Sequence, residues 1–203
     1  MRTILTFGFV FLFLLFGYIP LGFFWIYRKI NKKKADLMQL RIIQWVFRVM
    51  HVTAGMKVTV IGEENIPKDE AVLYVANHRS MFDIVYTYSR VPRLTGYISK
   101  SGVLKVPALR AWMKRLHCLF LDRDDIKQGL KTILTGIEKA KSGISICIFP
   151  EGTRNKGEVN LLPFHEGSFK IAEKSGVPIV PMTLVNTAAI FEDHFPKIKK
   201  ATV

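Results

Sequence analysis

A histidine and an aspartate stand five residues apart in Asn77-His78-Arg79-Ser80-Met81-Phe82-Asp83, directly after the apolar run AVLYVA. An imidazole leaving the carboxyl end of a buried strand lies where α/β folds gather ligands. A carboxylate folded back from the start of the next helix fixes the imidazole's tautomer and stabilises the imidazolium as a proton arrives. Such a pair needs no serine when the attacking hydroxyl is the substrate's own, and a well-placed base contributes roughly 10²–10⁴-fold to a rate. Taken alone, H-x-x-x-x-D is a weak motif, and a lone histidine is more often a hydrogen-bonded scaffold or surface residue. No third ligand at suitable spacing accompanies the pair, so a metal is not expected.

A second constellation, Phe149-Pro150-Glu151-Gly152-Thr153-Arg154-Asn155, again follows an apolar run, ISICI. Arg154 offers a planar, permanently charged fork for a phosphate, Gly152 permits close backbone approach, and Glu151 can accept a hydroxyl or hold the arginine. The plainer reading is a turn with a surface ion pair, since Pro-Glu-Gly-Thr is ordinary loop chemistry. Two such strand ends side by side would make one cleft.

The elements that must position these loops alternate between short apolar runs and helix-like segments. Strands are predicted at 57–62, 71–76, 95–99, 118–121, 145–149 and 178–184, and helices at 81–89, 107–116, 126–142 and 167–175. Ile66-Pro67, Ser142-Gly143 and Ser175-Gly176 punctuate them. This alternation predicts an α/β domain over residues 56–203, with a mixed, largely parallel central sheet flanked by helices.

Residues 1–55 read differently. Positions 3–27 carry no charge, and one continuous helix over them would run about 37 Å. Gly17, Pro20 and Gly22 interrupt it, however, and the part before Gly17 spans only about 20 Å. A kinked transmembrane helix, a re-entrant helical pair and a cleaved signal compete. The signal is the weakest reading, because the apolar stretch is long and no small-residue cleavage site is evident. Arg28, Lys29, Lys32, Lys33 and Lys34 follow, against Arg2 before, which places the next domain on the cytoplasmic face. Over 40–52, Ile42, Ile43, Val46, Val49 and Met50 recur at helical spacing with Trp45 and Phe47 flanking, as expected of an amphipathic helix lying at a membrane interface or covering the domain.

The whole chain is both basic and apolar: 30 Lys and Arg against 16 Asp and Glu, a net charge of +14, 49% hydrophobic residues and a mean hydropathy of +0.20. Apolar burial and Lys/Arg attraction together suit an anionic membrane surface. Nucleic acid is not expected as a partner, because no basic-aromatic platform or binding motif is present. Cys118 and Cys147 sit inside apolar runs and read as buried, reduced thiols.

NHRSMFD and FPEGTRN, about 70 residues apart and in this order, resemble motifs one and three of the glycerolipid acyltransferase family, specifically its 1-acyl-sn-glycerol-3-phosphate acyltransferases. Leu119-Phe120-Leu121-Asp122-Arg123 is similar to the second block and Val177-Pro178-Ile179-Val180-Pro181-Met182 to the fourth, so the resemblance covers roughly residues 56–185. It implies that His78 deprotonates the sn-2 hydroxyl of lysophosphatidic acid for attack on an acyl thioester, that Asp83 orients it, and that Asn77 shapes the turn. Glu151, Gly152, Thr153 and Arg154 are implied to bind the acceptor, with Arg123 a second phosphate contact and Lys100 a third. The donor implied is acyl-CoA or acyl carrier protein, with no metal or other cofactor, and an N-terminal helical pair would seat the enzyme in one leaflet. Asn155 stands where serine is commoner in that family. Another strand usually follows a stretch such as FEDHFPKIKKATV, whereas this sequence ends at Val203, as a truncated or compact member would.

Two other readings remain open at this stage. Acylation of a different lysophospholipid or membrane alcohol would leave Arg123 and Arg154 indifferent to acceptor phosphate. A non-catalytic binder of anionic lipid would explain the charge and the apolar N-terminus but leave the His78/Asp83 spacing without a purpose.

Overall fold

The structure, a computed structural model, describes residues 1–157 and 160–203. Five strands form the central sheet in the order β4-β3-β5-β2-β6: β2 (Leu73–Ala76), β3 (Thr95–Lys100), β4 (Leu119–Leu121), β5 (Ser145–Ile148) and β6 (Ile179–Met182). Every pairing described is parallel, so the mixed sheet expected from the sequence is parallel throughout these residues. β2 and β5 are buried on both faces, and their side chains alternate between them, whereas the edge strand β6 leaves Ile179 exposed. Leu73, Val75, Ile146 and Ile148 pack on one side against α6 (Ile126–Lys141) and α7 (Lys170–Ser175). Tyr74, Ala76 and Cys147 face the other side, with α4 (Asp83–Tyr88) and α5 (Pro107–Arg115). Fully burying each of the larger aliphatic side chains contributes about 1.5–3 kcal/mol.

The strand predicted at 57–62 is corrected. Only β1 (Met56–Lys57) forms, outside the central sheet, paired with β7 (Ala201–Thr202) near the C-terminus. Beyond Lys57 the ladder is limited to a bond from the Thr59 N–H to the Val203 carbonyl. An alternating pattern such as KVTVIG forms an extended ladder only where a neighbouring strand presents a matching edge.

Three helices precede the domain: α1 (Arg2–Phe16), α2 (Tyr18–Ile30) and α3 (Lys32–Ala54). Neither α1 nor α2 is long and apolar enough to cross a membrane alone, and the pair is bent by 45° at Gly17. Of the three interrupters, only Gly17 breaks the helix. A Cβ there would lie 2.8 Å from the Trp112 indole nitrogen, so glycine permits this close approach. Pro20 falls in the first turn of α2, where its missing N–H leaves no helical bond unmade. The amphipathic segment expected at 40–52 is the C-terminal part of α3, which starts where the Asn31 side chain accepts a hydrogen bond from the Lys34 N–H. Leu40 and Ile43 enter the core beside Tyr74 and Tyr88, while Trp45 and Val52 stay exposed.

A buried carboxylate ties these helices to the sheet domain. Asp36 meets the Arg28 Nε at 2.6 Å, the Lys32 Nζ at 3.2 Å and the His117 Nε2 at 3.0 Å, joining α2 and α3 to the turn before β4. Burial acts to raise the Asp36 pKa, but hydrogen bonds from His117, Arg28 and Lys32 outweigh it and hold the carboxyl well below the usual range. A folded-state pKa below the unfolded value stabilises the fold above about pH 4, and the contribution fades as pH falls towards the folded value. Asp36→Ala leaves the partly buried Arg28 and the buried His117 without their shared acceptor, so we expect a loss of about 3 kcal/mol in denaturant unfolding at neutral pH, shrinking in acid.

Candidate active site

His78 is carried out of the sheet at the carboxyl end of β2, and Phe149 to Arg154 leave the same end of its neighbour β5. Because these two strands pair in parallel, the two loops emerge side by side. The Asn155 N–H donates to the His78 carbonyl at 2.7 Å, the His78 N–H donates to Glu151 Oε1 at 2.7 Å, and Arg79 Nη2 donates to the Gly157 carbonyl at 3.2 Å. The His78 ring stacks on Phe149 with centroids 4.2 Å apart.

Asp83, the first residue of α4, turns its carboxylate back as expected. Its Oδ2 lies 2.7 Å from His78 Nδ1 and also accepts the N–H groups of Arg79 and Ser80, each at 2.8 Å. Asp83 is fully buried, whereas the His78 side chain retains 18% exposure at the cavity wall. Nδ1–H donates to the carboxylate, so Nε2 is the nitrogen left to exchange a proton with a bound molecule.

The cavity is large, about 1290 Å³, and mostly apolar. His78, Thr153, Arg154, Arg123, Lys100 and Gly152 all line it, so one space holds the imidazole and the three cations named from the sequence. From there it runs between α1 and α3, past Val10, Phe13 and Phe47, and along α6, past Leu130 and Ile133.

Glu151 is placed differently from a residue that greets a ligand. It is 4% exposed, and its two oxygens accept the backbone N–H groups of His78 and Leu162, so it fixes the loop. Asn77 clamps the end of β2 to the chain beyond β6: its Oδ1 accepts the Leu184 N–H at 2.7 Å and its amide donates to the Leu184 carbonyl at 2.9 Å. Gly152 has φ +68°, a left-handed conformation that favours glycine. Both cysteines are free, and burial pushes the Cys118 thiol up to about 11 and Cys147 higher still.

Sequence reasoning missed Glu192. Its carboxylate accepts Ser80 Oγ at 2.6 Å and the Met81 N–H at 2.8 Å, and pairs with Arg154 Nη1 at 2.9 Å. One side chain thus holds both motif loops from the C-terminal segment. FEDHF offers no spacing or periodicity that would have singled it out. His165, also unforeseen, lines the cavity next to Gly152.

Known proteins place this geometry in context. The chain is 38% identical over 135 residues to the chloroplastic 1-acyl-sn-glycerol-3-phosphate acyltransferase BAT2 of Brassica napus, covering 66% of this chain and 39% of that one. It is 33% identical over 161 residues to the 1-acyl-sn-glycerol-3-phosphate acyltransferase of Saccharomyces cerevisiae, covering 76% and 53% respectively. The chain therefore spans about half or less of the length of these curated relatives. The crystal structure of the 1-acyl-sn-glycerophosphate (LPA) acyltransferase PlsC from Thermotoga maritima superposes with a TM-score of 0.85 at 27% identity, over 99% of this chain and 80% of that one. The acyltransferase family model matches residues 57–185, from the end of β1 to just past β6, and with both motif loops and the whole central sheet inside that span the chain belongs to the acyltransferase family.

Proposed function

We propose that this chain transfers a fatty acyl group from an acyl-CoA or acyl carrier protein thioester to the sn-2 hydroxyl of lysophosphatidic acid, giving phosphatidic acid. The observation that carries the reading is the 2.7 Å His78–Asp83 contact in a cavity that Arg154, Arg123 and Lys100 also line. His78 Nε2 takes the hydroxyl proton as the oxygen attacks the thioester carbonyl. The tetrahedral intermediate collapses with cleavage of the C–S bond, and the imidazolium returns its proton to the departing thiolate. Asp83 holds the ring and balances its charge while it is protonated. Base and positive charge come from side chains alone, with no metal or other cofactor in the step.

The apolar arms of the cavity suit acyl chains, and the basic wall suits the acceptor phosphate and the phosphates of a donor. Residues 1–55 seat the protein on the cytoplasmic face of a membrane as a re-entrant pair, and residues 56–203 carry the chemistry. In support, α1 and α2 leave Phe11, Phe16, Ile19, Phe23 and Ile26 more than half exposed, and Lys29 stands 4.2 Å over the Trp25 ring beside the Lys32–Lys34 cluster. Water disfavours an apolar face of that extent, and anionic lipid favours the adjoining charge.

The test is purified protein with labelled acyl-CoA or acyl carrier protein and lysophosphatidic acid in mixed micelles. Phosphatidic acid should form. Failure of the folded protein to acylate lysophosphatidic acid from either donor would remove the reading. Arg154→Ala should raise KM for lysophosphatidic acid roughly 10–100-fold while leaving KM for a phosphate-free acceptor unchanged. Equal effects on both acceptors would instead favour acylation of another membrane alcohol.

A further inference from the structure

A second depression, about 410 Å³, lies between α3 and the chain leaving α4, and it shares no lining residue with the reaction cavity. We propose that it binds the phosphate of an anionic phospholipid headgroup. The proposal does not depend on acyl transfer.

Three arginines face this space, Arg41 and Arg48 from α3 and Arg90 from just after α4, against one carboxylate, Glu63. The Arg90–Glu63 pair is long, 3.5 Å, and both side chains are about 40% exposed, so solvent screens it and Arg90 remains available. Arg48 has no hydrogen bond or ion pair among the described residues. Arg41 is held in place. Buried Gln44 donates its amide to the Val91 and Tyr88 carbonyls at 2.8 and 3.3 Å, and its fixed Oε1 accepts Arg41 Nη1 at 2.7 Å. A guanidinium oriented in advance loses less freedom on gripping a phosphate, and its planar fork matches phosphate oxygens. His51 closes the floor, with Nε2 against the Val85 carbonyl at 3.2 Å; burial and the charges of Arg90 and Arg48 push its pKa down. Three guanidinium groups around one space repel one another, and an anion between them relieves that repulsion.

The position of the depression identifies the source of the phosphate. Trp45, 56% exposed, sits between Arg41 and Arg48 on α3 and meets Phe9 of α1 edge-on with centroids 5.9 Å apart. The arginines therefore border the exposed apolar surface of α1, and an exposed tryptophan flanked by cations is the side-chain arrangement of a lipid headgroup boundary.

The experiment is co-sedimentation of the full chain with phosphatidylcholine vesicles, with and without 10 mol% phosphatidic acid. Arg41→Ala/Arg48→Ala should lower the preference for phosphatidic acid roughly tenfold. Lys33→Ala/Lys34→Ala, which removes the same charge from exposed positions elsewhere on α3, should lower it about threefold or less. Arg48→Ala alone should act in the same direction with a smaller effect. Turnover in detergent micelles should stay at the unsubstituted rate in both arginine variants, which reports folding separately from headgroup binding. Equal losses from the arginine and lysine pairs would reduce the effect to general electrostatics and overturn the proposal. A thermal shift with inorganic phosphate that disappears in Arg41→Ala/Arg48→Ala, with the vesicle preference unchanged, would assign the depression to free phosphate and overturn the lipid reading.

Discussion

His78→Ala should fold, retain both substrates and turn over roughly 10²–10⁴-fold more slowly. The loss should fall on kcat, since the imidazole acts on the proton in flight, and KM should change little. Folding should survive because the ring is at the cavity wall and the loop is held through backbone groups: the His78 N–H on Glu151 and its carbonyl on the Asn155 N–H. Asp83→Asn gives a sharper version of the same test. One oxygen, Oδ2, serves His78 Nδ1 and the Arg79 and Ser80 N–H groups, so the amide oxygen of an asparagine takes its place, and the negative charge that balances the protonated ring is lost. Single-turnover measurements with labelled thioester should therefore show a large defect in both variants, with circular dichroism unchanged. An Asp83→Asn variant of full activity would end the role given to the carboxylate.

Glu192 is expected to give the second large effect, and its two substitutions should part company. Glu192→Ala removes the acceptor for Ser80 Oγ and the Met81 N–H and frees Arg154, so both loops lose a shared anchor. Misplacement of reacting groups by about 1 Å costs on the order of 10²-fold, and kcat/KM should fall by about that factor. Glu192→Gln can still accept from Met81 and donate to Ser80, yet it no longer neutralises Arg154. It should keep kcat within a few-fold and lower KM for lysophosphatidic acid, because the acceptor phosphate no longer competes with a carboxylate for the guanidinium. Steady-state kinetics of the two variants, with lysophosphatidic acid as the varied substrate, separate anchoring from charge competition. Identical losses in both would show that only the negative charge matters.

The sequence made the two loops legible for a local reason. A short apolar run ending in polar residues marks a strand terminus whatever surrounds it, so His78 and Arg154 could be set at strand ends before their adjacency was known. Helix α6 was equally plain, and the Asn31 cap shows where α3 begins, although hydrophobic periodicity alone marked only its second half. Glu192 was not legible because its contacts cross more than 100 residues, to Ser80 and Met81. Asp36 was hidden likewise: its partner His117 is 81 residues away, and a lone aspartate in a lysine-rich helix looks solvated. The over-long strand at 57–62 arose from the opposite error, since alternation records that a segment could pair without saying that a partner edge exists.

Val10, Phe13 and Leu14 of α1 wall the same hollow that His78 opens onto. Trimming the first helix to obtain a more tractable protein would therefore breach the chamber, flooding a greasy compartment with water and stripping the support beneath Trp112. Such a shortened form should aggregate or lose its grip on long hydrocarbon tails even if every polar group around the imidazole stayed in place. The first helix is thus a wall of the chamber itself, and no cut behind it leaves the space around the imidazole as it was.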